Sequence, residues 1–152
     1  MEPHFYNVDI QWSADRKGVM CSPEIKATGD PNCGCIEVAT PPQFPKGIPG
    51  IWSPEHLFTA AISSCLMTTF LAIAENSKLE FSAFACTSHG KLETVDGKFL
   101  MTEVFLEPTI TLKREEDRER AERIIQKSEA ACLISNSIRS KITMRPVIVV
   151  LT

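Results

Sequence analysis

The sequence predicts an α+β fold in which a single domain over residues 1–152 combines antiparallel strands with two helices. Three observations predict it. Short strand-like runs fill the first third of the chain, Asp96-Gly97 is a strong hairpin signal, and helical periodicity occurs in one stretch before that hairpin and in another after it. Because strands and helices are segregated along the chain, a βαβ winding is not expected.

The first third of the chain is typical of short strands joined by turns. Its expected elements are the strands His4–Trp12, Val19–Ala27 and Cys35–Thr40 and the turns Arg16–Gly18 and Gly29–Asn32. The proline-rich segment Pro41–Gly50 follows, and it can form neither a regular helix nor a central strand. We therefore expect a shaped loop that leads into the first helix.

The first helix is expected from Pro54 to about Asn76. Ser53 is a good N-cap, proline suits the first helical position, and Glu55 lies where the helix dipole favours a carboxylate. The uncharged stretch Leu57–Ala74 is near the lower limit of membrane-spanning length. Its many Ala, Ser, Thr and Cys residues favour a central buried helix, apolar on nearly all faces, over a membrane segment.

The second half of the chain is expected to supply one hairpin, one helix and a last strand. The hairpin strands are Phe81–Val95 and Lys98–Lys113, the helix is Arg114–Ser135, and the last strand is Lys141–Leu151. One face of this helix carries residues at helical spacing, namely Ala121, Ile124, Ile125, Ser128 and Cys132.

The charge pattern argues against a nucleic-acid partner. The formal net charge is −3, and the basic residues of segment 113–123 alternate with acidic ones, as on a solvated helix face. The first residues lack the positively charged region of a secretory signal, so a cytoplasmic location is expected.

A disulfide framework is not expected in such a reducing compartment, where cysteines are usually small packing residues, catalytic groups or metal ligands. Cys33-Gly34-Cys35 resembles half of a metal or redox motif, but no second pair follows at zinc spacing, so a surface turn and no metal site are expected. Cys21 and Cys86 are expected to be packing positions in strands. The sequence contains Cys21, Cys33, Cys35, Cys65, Cys86 and Cys132.

Cys65 and Cys132 lie in the two helices, so their sulfurs can meet if the helix faces that carry them pack together. A disulfide between them requires Cα atoms about 4.4–6.8 Å apart. From the residues alone, a cysteine in an apolar helix is usually an inert packing residue, so spacing by itself favours packing over a catalytic pair.

Two motifs give the chain a resemblance to a known family. The segment Ser53–Ala61 followed by Ser64-Cys65, together with Cys132–Asn136, resembles the signature of the OsmC/Ohr family. Arg16, in a turn after the first strand, is a third and weaker match. Many members have proline directly after the second cysteine, whereas this chain has Leu133.

This resemblance implies an intertwined homodimer in which antiparallel sheets wrap around two central helices, with active sites at the interface. It also implies a peroxidase that needs no cofactor. Cys65 would attack an organic hydroperoxide and become a sulfenic acid, Cys132 would close a disulfide, and an external dithiol or thiol would reopen it. Because burial raises the pKa of a thiol, Arg16 would supply a cation, and Glu55 would orient it.

Helix geometry suggests which subunit supplies that cation. Glu55 and Cys65 are separated by about 15 Å of helical rise and face directions about 80° apart. A cluster of Arg16, Glu55 and Cys65 within one chain is therefore strained. We hypothesise that Arg16 and Glu55 serve Cys65 of the partner subunit.

Apolar residues in and after the proline-rich loop are candidates for binding the tail of an organic peroxide, and dimer or core packing is their alternative role. Two other functions stay open: a non-catalytic domain that binds an apolar small molecule, and a thiol redox sensor. The candidate binding residues are Phe44, Ile48, Ile51, Trp52 and Phe58.

Overall fold

The computed structural model describes residues 1–25 and 34–151. These residues form two compact units, Met1–Leu57 and Phe58–Thr152. The expected turn Gly29–Asn32, the end of the expected second strand, and Cys33 lie outside the described residues.

The first unit contains a three-stranded antiparallel sheet, as the sequence predicts. Its strands β1 (Asp9–Ala14), β2 (Lys17–Cys21) and β3 (Cys35–Ala39) follow one another in space. The first strand begins later than expected, because Asn7 donates its backbone N–H to the Glu24 carboxylate (3.0 Å) and does not join the ladder.

Helix α1 (Pro54–Asn76) begins and ends where the sequence predicts. The backbone N–H of His56 donates to Ser53 Oγ at 3.3 Å, so the serine caps the first turn. The proline-rich segment before it is a loop, and its exit is held by a bond from the Ala39 N–H to the Trp52 carbonyl oxygen (2.8 Å).

The second unit contains a mixed four-stranded sheet. Strands β4 (Phe81–Val95) and β5 (Lys98–Leu112) form the predicted hairpin, and both turn residues, Asp96 and Gly97, have positive φ angles (49° and 76°) as a type I′ turn requires. The expected last strand is divided into β6 (Lys141–Met144) and β7 (Val147–Val150), which both pair with β5 in parallel. The division falls at Arg145-Pro146, where proline has no N–H for the ladder.

The expected second helix is interrupted at Cys132. A 3₁₀ turn (Glu115–Asp117) leads into α2 (Arg118–Ala131), and a short helix α3 (Leu133–Asn136) follows the break. Cys132 itself is extended (φ −64°, ψ 113°), so the cysteine lies at the junction of two helices and not within one.

One core joins the helices and sheet of the second unit. Alternate residues of β5 point into it, as the period of a strand requires. The fully buried members include Ile62, Leu66, Phe70 and Ala74 of α1, Val104, Leu106, Ile110 and Leu112 of β5, and Ala121 and Ile125 of α2.

Helix α1 buries one stripe and not all of its faces. The stripe recurs every four residues from Ile62 to Ala74, whereas Met67 and Leu71 on other faces remain 38% and 40% exposed. By length and mean hydropathy (1.9) the helix also fits a membrane span, although its buried stripe belongs to the core of the second unit. The remaining apolar surface of α1 is therefore available for a partner.

Candidate functional site

The second unit brings two free thiols into contact. Cys65, on α1, is half-buried, and Cys132, between α2 and α3, is fully buried. A hydrogen bond joins the two sulfur-bearing side chains. The two cysteines that the sequence singles out are thus neighbours in space.

The surroundings of Cys65 favour its thiolate. Partial burial raises the pKa of this thiol, but hydrogen bonds from the Cys132 thiol, the Ile134 N–H, the Thr69 hydroxyl and the Leu133 N–H outweigh burial and lower the pKa below its ordinary value. Thr69 is one helical turn further along α1, with Oγ1 4.0 Å from the sulfur of Cys65. A nucleophilic thiol needs such a shift, because only the thiolate attacks.

The break at Cys132 explains the two backbone donors. The first N–H groups of a helix have no partner within that helix, and α3 begins at Leu133. Its free N–H groups, those of Leu133 and Ile134, donate to the sulfur of Cys65. A proline at position 133 would have no N–H to give. Neutral donors therefore lower the pKa of Cys65. The sequence had predicted only a cation, Arg16, in that role.

The surroundings of Cys132 have the opposite effect. Burial and the hydrogen bond to Cys65 raise the pKa of Cys132, and the side chain and backbone of Ser135 offset this only in part. At neutral pH the second cysteine therefore stays a thiol. The pair is chemically unequal, with one sulfur prepared as a thiolate and the other kept protonated.

The first unit holds the two charged candidates. Arg16 and Glu55 both line a cavity of about 680 Å³. Lys17 lines it as well, but its ammonium group is paired with Glu37 at 3.1 Å. The apolar part of the wall includes Ile10, Trp12, Val38, Pro41 and Phe44.

The five candidate binding residues do not share one place. Phe44 lines the cavity of the first unit, whereas Ile48, Ile51 and Trp52 belong to that unit but not to the lining. Phe58 packs, partly buried, against the core of the second unit. Their role in binding stays a prediction.

A disulfide between Cys21 and Cys35 contradicts the expectation that Cys21 is a strand-packing position and that Cys35 belongs to a surface turn. The two residues are directly opposite in the β2–β3 ladder. The sequence contains both strands, but only their register shows that these cysteines face each other. Among residues 1–25 and 34–151, no group of three or more His, Cys, Asp or Glu side chains is placed to hold a metal ion.

Two comparisons with known proteins match most of the length of this chain. The family model described as OsmC-like protein matches residues 47–146. The uncharacterised protein YmaD of Bacillus subtilis is 23% identical over 154 residues, which cover 95% of this chain and 93% of that protein.

Solved structures show the same fold. An OsmC-like protein of unknown function from Vibrio cholerae superposes with a TM-score of 0.80 at 19% identity, over 95% of this chain and 100% of its own. An organic hydroperoxide resistance protein from Elizabethkingia anophelis has a TM-score of 0.73 at 21% identity, over 99% of both chains.

Proposed function

The chain belongs to the OsmC-like protein family, and on that premise we propose that it is a thiol-dependent peroxidase that reduces organic hydroperoxides to alcohols. The observation that carries the proposal is the unequal thiol pair, because Cys65 has a lowered pKa and Cys132 a raised one within one hydrogen-bonded contact. The name of the similar Elizabethkingia anophelis protein, an organic hydroperoxide resistance protein, supports the choice of substrate.

In the proposed reaction the Cys65 thiolate attacks the outer oxygen of the hydroperoxide. The O–O bond breaks, the organic oxygen leaves as an alcohol after it takes up a proton, and Cys65 becomes a sulfenic acid. The Cys132 thiol then attacks that sulfur, and the sulfenic hydroxyl leaves as water. A dithiol or two thiols reduce the resulting disulfide and return both cysteines.

The charged residues of the first unit have a proposed part in the first step. The Arg16 guanidinium would hold the organic oxygen of the peroxide and stabilise the negative charge that develops on it as it leaves, and Glu55 would orient the guanidinium through a bidentate pair. We retain the hypothesis that they act on Cys65 of the partner subunit. Their common cavity, walled mostly by apolar residues, suits the tail of an organic substrate.

The proposal includes a homodimer. Apolar side chains are exposed on α1, including Met67 and Leu71, and on β1, where Ile10 and Trp12 are 66% and 77% exposed. A second copy of the chain would cover such surfaces, which isolated soluble chains rarely leave open. We further propose that the protein acts in the cytoplasm, without a cofactor and without a nucleic-acid or membrane partner.

The experiment measures peroxide consumed by pre-reduced protein in the absence of reductant. Wild type is expected to consume about one cumene hydroperoxide per subunit rapidly and hydrogen peroxide slowly. Cys65→Ser should consume neither, and Cys132→Ser should consume one equivalent and stop as a sulfenic acid that a 1,3-dione reagent traps. Cys86→Ser, which removes a free thiol of β4, is the matched control and should equal wild type.

Equal inertness of wild type and Cys65→Ser would overturn the peroxidase. The cavity would then be screened for binding of apolar small molecules, which is the function expected of a non-catalytic relative.

A further inference from the structure

We propose that Cys21 and Cys35 form a second redox site, which exchanges electrons with small thiols or dithiols and which is chemically separate from Cys65 and Cys132. These two cysteines have no part in the proposed peroxidase reaction. They lie on strands of the first unit and are joined in a disulfide, whereas Cys65 and Cys132 belong to the second unit and are free thiols.

The bond occupies an accessible place in the sheet. Cys21 is the last residue of β2 and Cys35 is the first of β3, so the disulfide lies at the end of the ladder and not inside it. Both residues are half-buried, in contrast to the fully buried Cys132. A thiolate from solution can therefore approach a sulfur without the strands having to separate first.

Cross-strand hydrogen bonding favours closure of the disulfide after reduction. The neighbouring bond from the Ser22 N–H to the Gly34 carbonyl oxygen (3.2 Å) keeps the two cysteines in register for closure again.

The exchange reaction balances with a dithiol as the partner. One thiolate of the dithiol attacks the sulfur of Cys21 or Cys35, the protein S–S bond breaks, and a mixed disulfide forms while the other cysteine leaves as a thiolate. The second thiol of the partner then attacks the mixed disulfide. The partner becomes a disulfide, and two electrons and two protons end on the protein cysteines.

The other end of the same two strands borders the cavity of the first unit. Lys17 of β2 pairs with Ala39 of β3 at that end, and both residues line the cavity. The Arg16 carbonyl oxygen accepts the N–H of Thr40 there (3.0 Å). Reduction of the disulfide would thus loosen the β2–β3 strand pair, whose other end adjoins the turn that carries Arg16.

In the proposed compartment, small thiols and dithiols are available to react with this disulfide. Disulfides in a reducing cytoplasm are rare, and those that exist are usually transient or redox-sensing, because thiols there reduce them. This step rests on the cytoplasmic location in the proposed function, but the site itself does not depend on Cys65.

The test uses the whole protein and reads each cysteine pair separately. Wild type and Cys65→Ser are equilibrated in glutathione buffers from oxidising to reducing, alkylated with a light reagent, reduced, alkylated with a heavy one and digested. Cys33→Ser is included, because Cys33 is two residues from Cys35 in sequence and can offer an alternative partner. The fraction of heavy label on the Cys21 and Cys35 peptides is then followed.

Cys21 and Cys35 are expected to change label together, over the same buffer ratios in wild type, Cys65→Ser and Cys33→Ser. Hydrogen exchange at the β2–β3 amides should be several-fold faster in the reduced form. Two results would overturn the proposal: free thiols at both positions in the oxidising buffers, or a disulfide that stays closed in the most reducing one. Because Cys65→Ser is inactive as a peroxidase in the proposed function, neither result depends on that function.

Discussion

The two cysteine pairs of this protein are opposites in almost every physical respect. Cys65 lies on a helix and Cys132 lies at the junction of two helices; both are free thiols, hydrogen-bonded to each other and placed in unequal surroundings. Cys21 and Cys35 are opposite each other on adjacent strands, both half-buried and already bonded. Different thiol pKa values suit a pair that reacts with a third molecule, since one sulfur must be the nucleophile and the other must stay protonated until the second step. A pair that only opens and closes needs no such inequality.

The surroundings of Cys65 and Cys132 result from the interruption between helices α2 and α3. An unbroken helix would use its N–H groups internally, whereas the interruption at Cys132 leaves those of Leu133 and Ile134 free for the sulfur of Cys65. The second pair needs no such device, because the register of an antiparallel ladder alone brings the cysteines together. The local backbone thus decides which pair can act as a nucleophile.

The largest expected effect tests whether the charged residues of the first unit serve the thiol pair of the second. Arg16→Ala should lower the rate of peroxide reduction about 100- to 1,000-fold, because the developing oxyanion loses a fixed cationic donor. Lys17→Ala is the matched control, since Lys17 lines the same cavity but is paired with Glu37. Stopped-flow assays of the first turnover measure both, and equal losses would assign the effect to the cavity wall and not to Arg16.

Mixed dimers show which subunit supplies Arg16. Arg16→Ala is expected to be nearly inactive and Cys65→Ser fully inactive, and their mixture should form hybrid dimers. If Arg16 acts on the partner's thiol, a hybrid combines one intact Arg16 with the opposite Cys65, and activity returns. If it acts within its own chain, no active site is complete in the hybrid and the mixture stays inactive.

The next effect concerns the stability that the second pair provides. Replacing Cys21 and Cys35 together by serine should lower the free energy of unfolding of the oxidised protein by about 3 kcal/mol, as expected from loop-closure entropy for cysteines 14 residues apart. Urea unfolding measures it, and the difference should vanish under reducing conditions. Cys86→Ser should cause no comparable loss; if it does, thiol removal and not the cross-link is responsible.

The sequence predicted the elements of this molecule better than their relations. The start of α1 at Pro54 and the turn at Asp96-Gly97 follow from local chemistry, a serine cap and a positive-φ pair, and both are confirmed. Cys21 and Cys35 are opposite each other because of the register of β2 and β3, and local sequence patterns do not determine that register. The break at Cys132 was missed because the apolar spacing of α2 continues through it.

The thiol site was likewise predicted only in part, because its cysteines were identified but its backbone donors were not. Family resemblance singled out Cys65 and Cys132, which the structure places in contact, but it described the activating group only as a cation. The donors Leu133 and Ile134 act through backbone N–H groups, so the identity of their side chains carries no signal. Position 133 mattered in the sequence only as a departure from proline, and the structure gives that departure a physical meaning.

The third expected effect concerns the Leu133 N–H and the pKa of Cys65. Leu133→Pro should raise the pKa of Cys65 towards its ordinary value and lower the thiolate population at a fixed pH below that pKa about two- to threefold, because the Leu133 N–H is the weakest of the four donors to the sulfur. Proline fits the backbone, because position 133 is the first residue of α3 and Cys132 before it is extended. Absorbance of the thiolate near 240 nm measures the titration. Leu133→Ala keeps the N–H and should titrate as wild type, and an equal shift in both variants would contradict the backbone donor.

An effect of similar size is expected from the side-chain donor Thr69. Because the pKa of Cys65 is lowered, the thiolate and the peroxide rate appear as pH rises through that lowered pKa and are lost as pH falls through it. Thr69→Val removes a long hydrogen bond (4.0 Å) at constant shape, so the rate profile should move to slightly higher pH, with a loss of about two- to threefold below the midpoint and none above it. Thr68→Val is the matched control, since the Thr68 hydroxyl donates to the carbonyl oxygens of Ser64 and Cys65 and not to the sulfur. A loss that persists at high pH would mean that Thr69 positions the thiol and does not tune its ionisation.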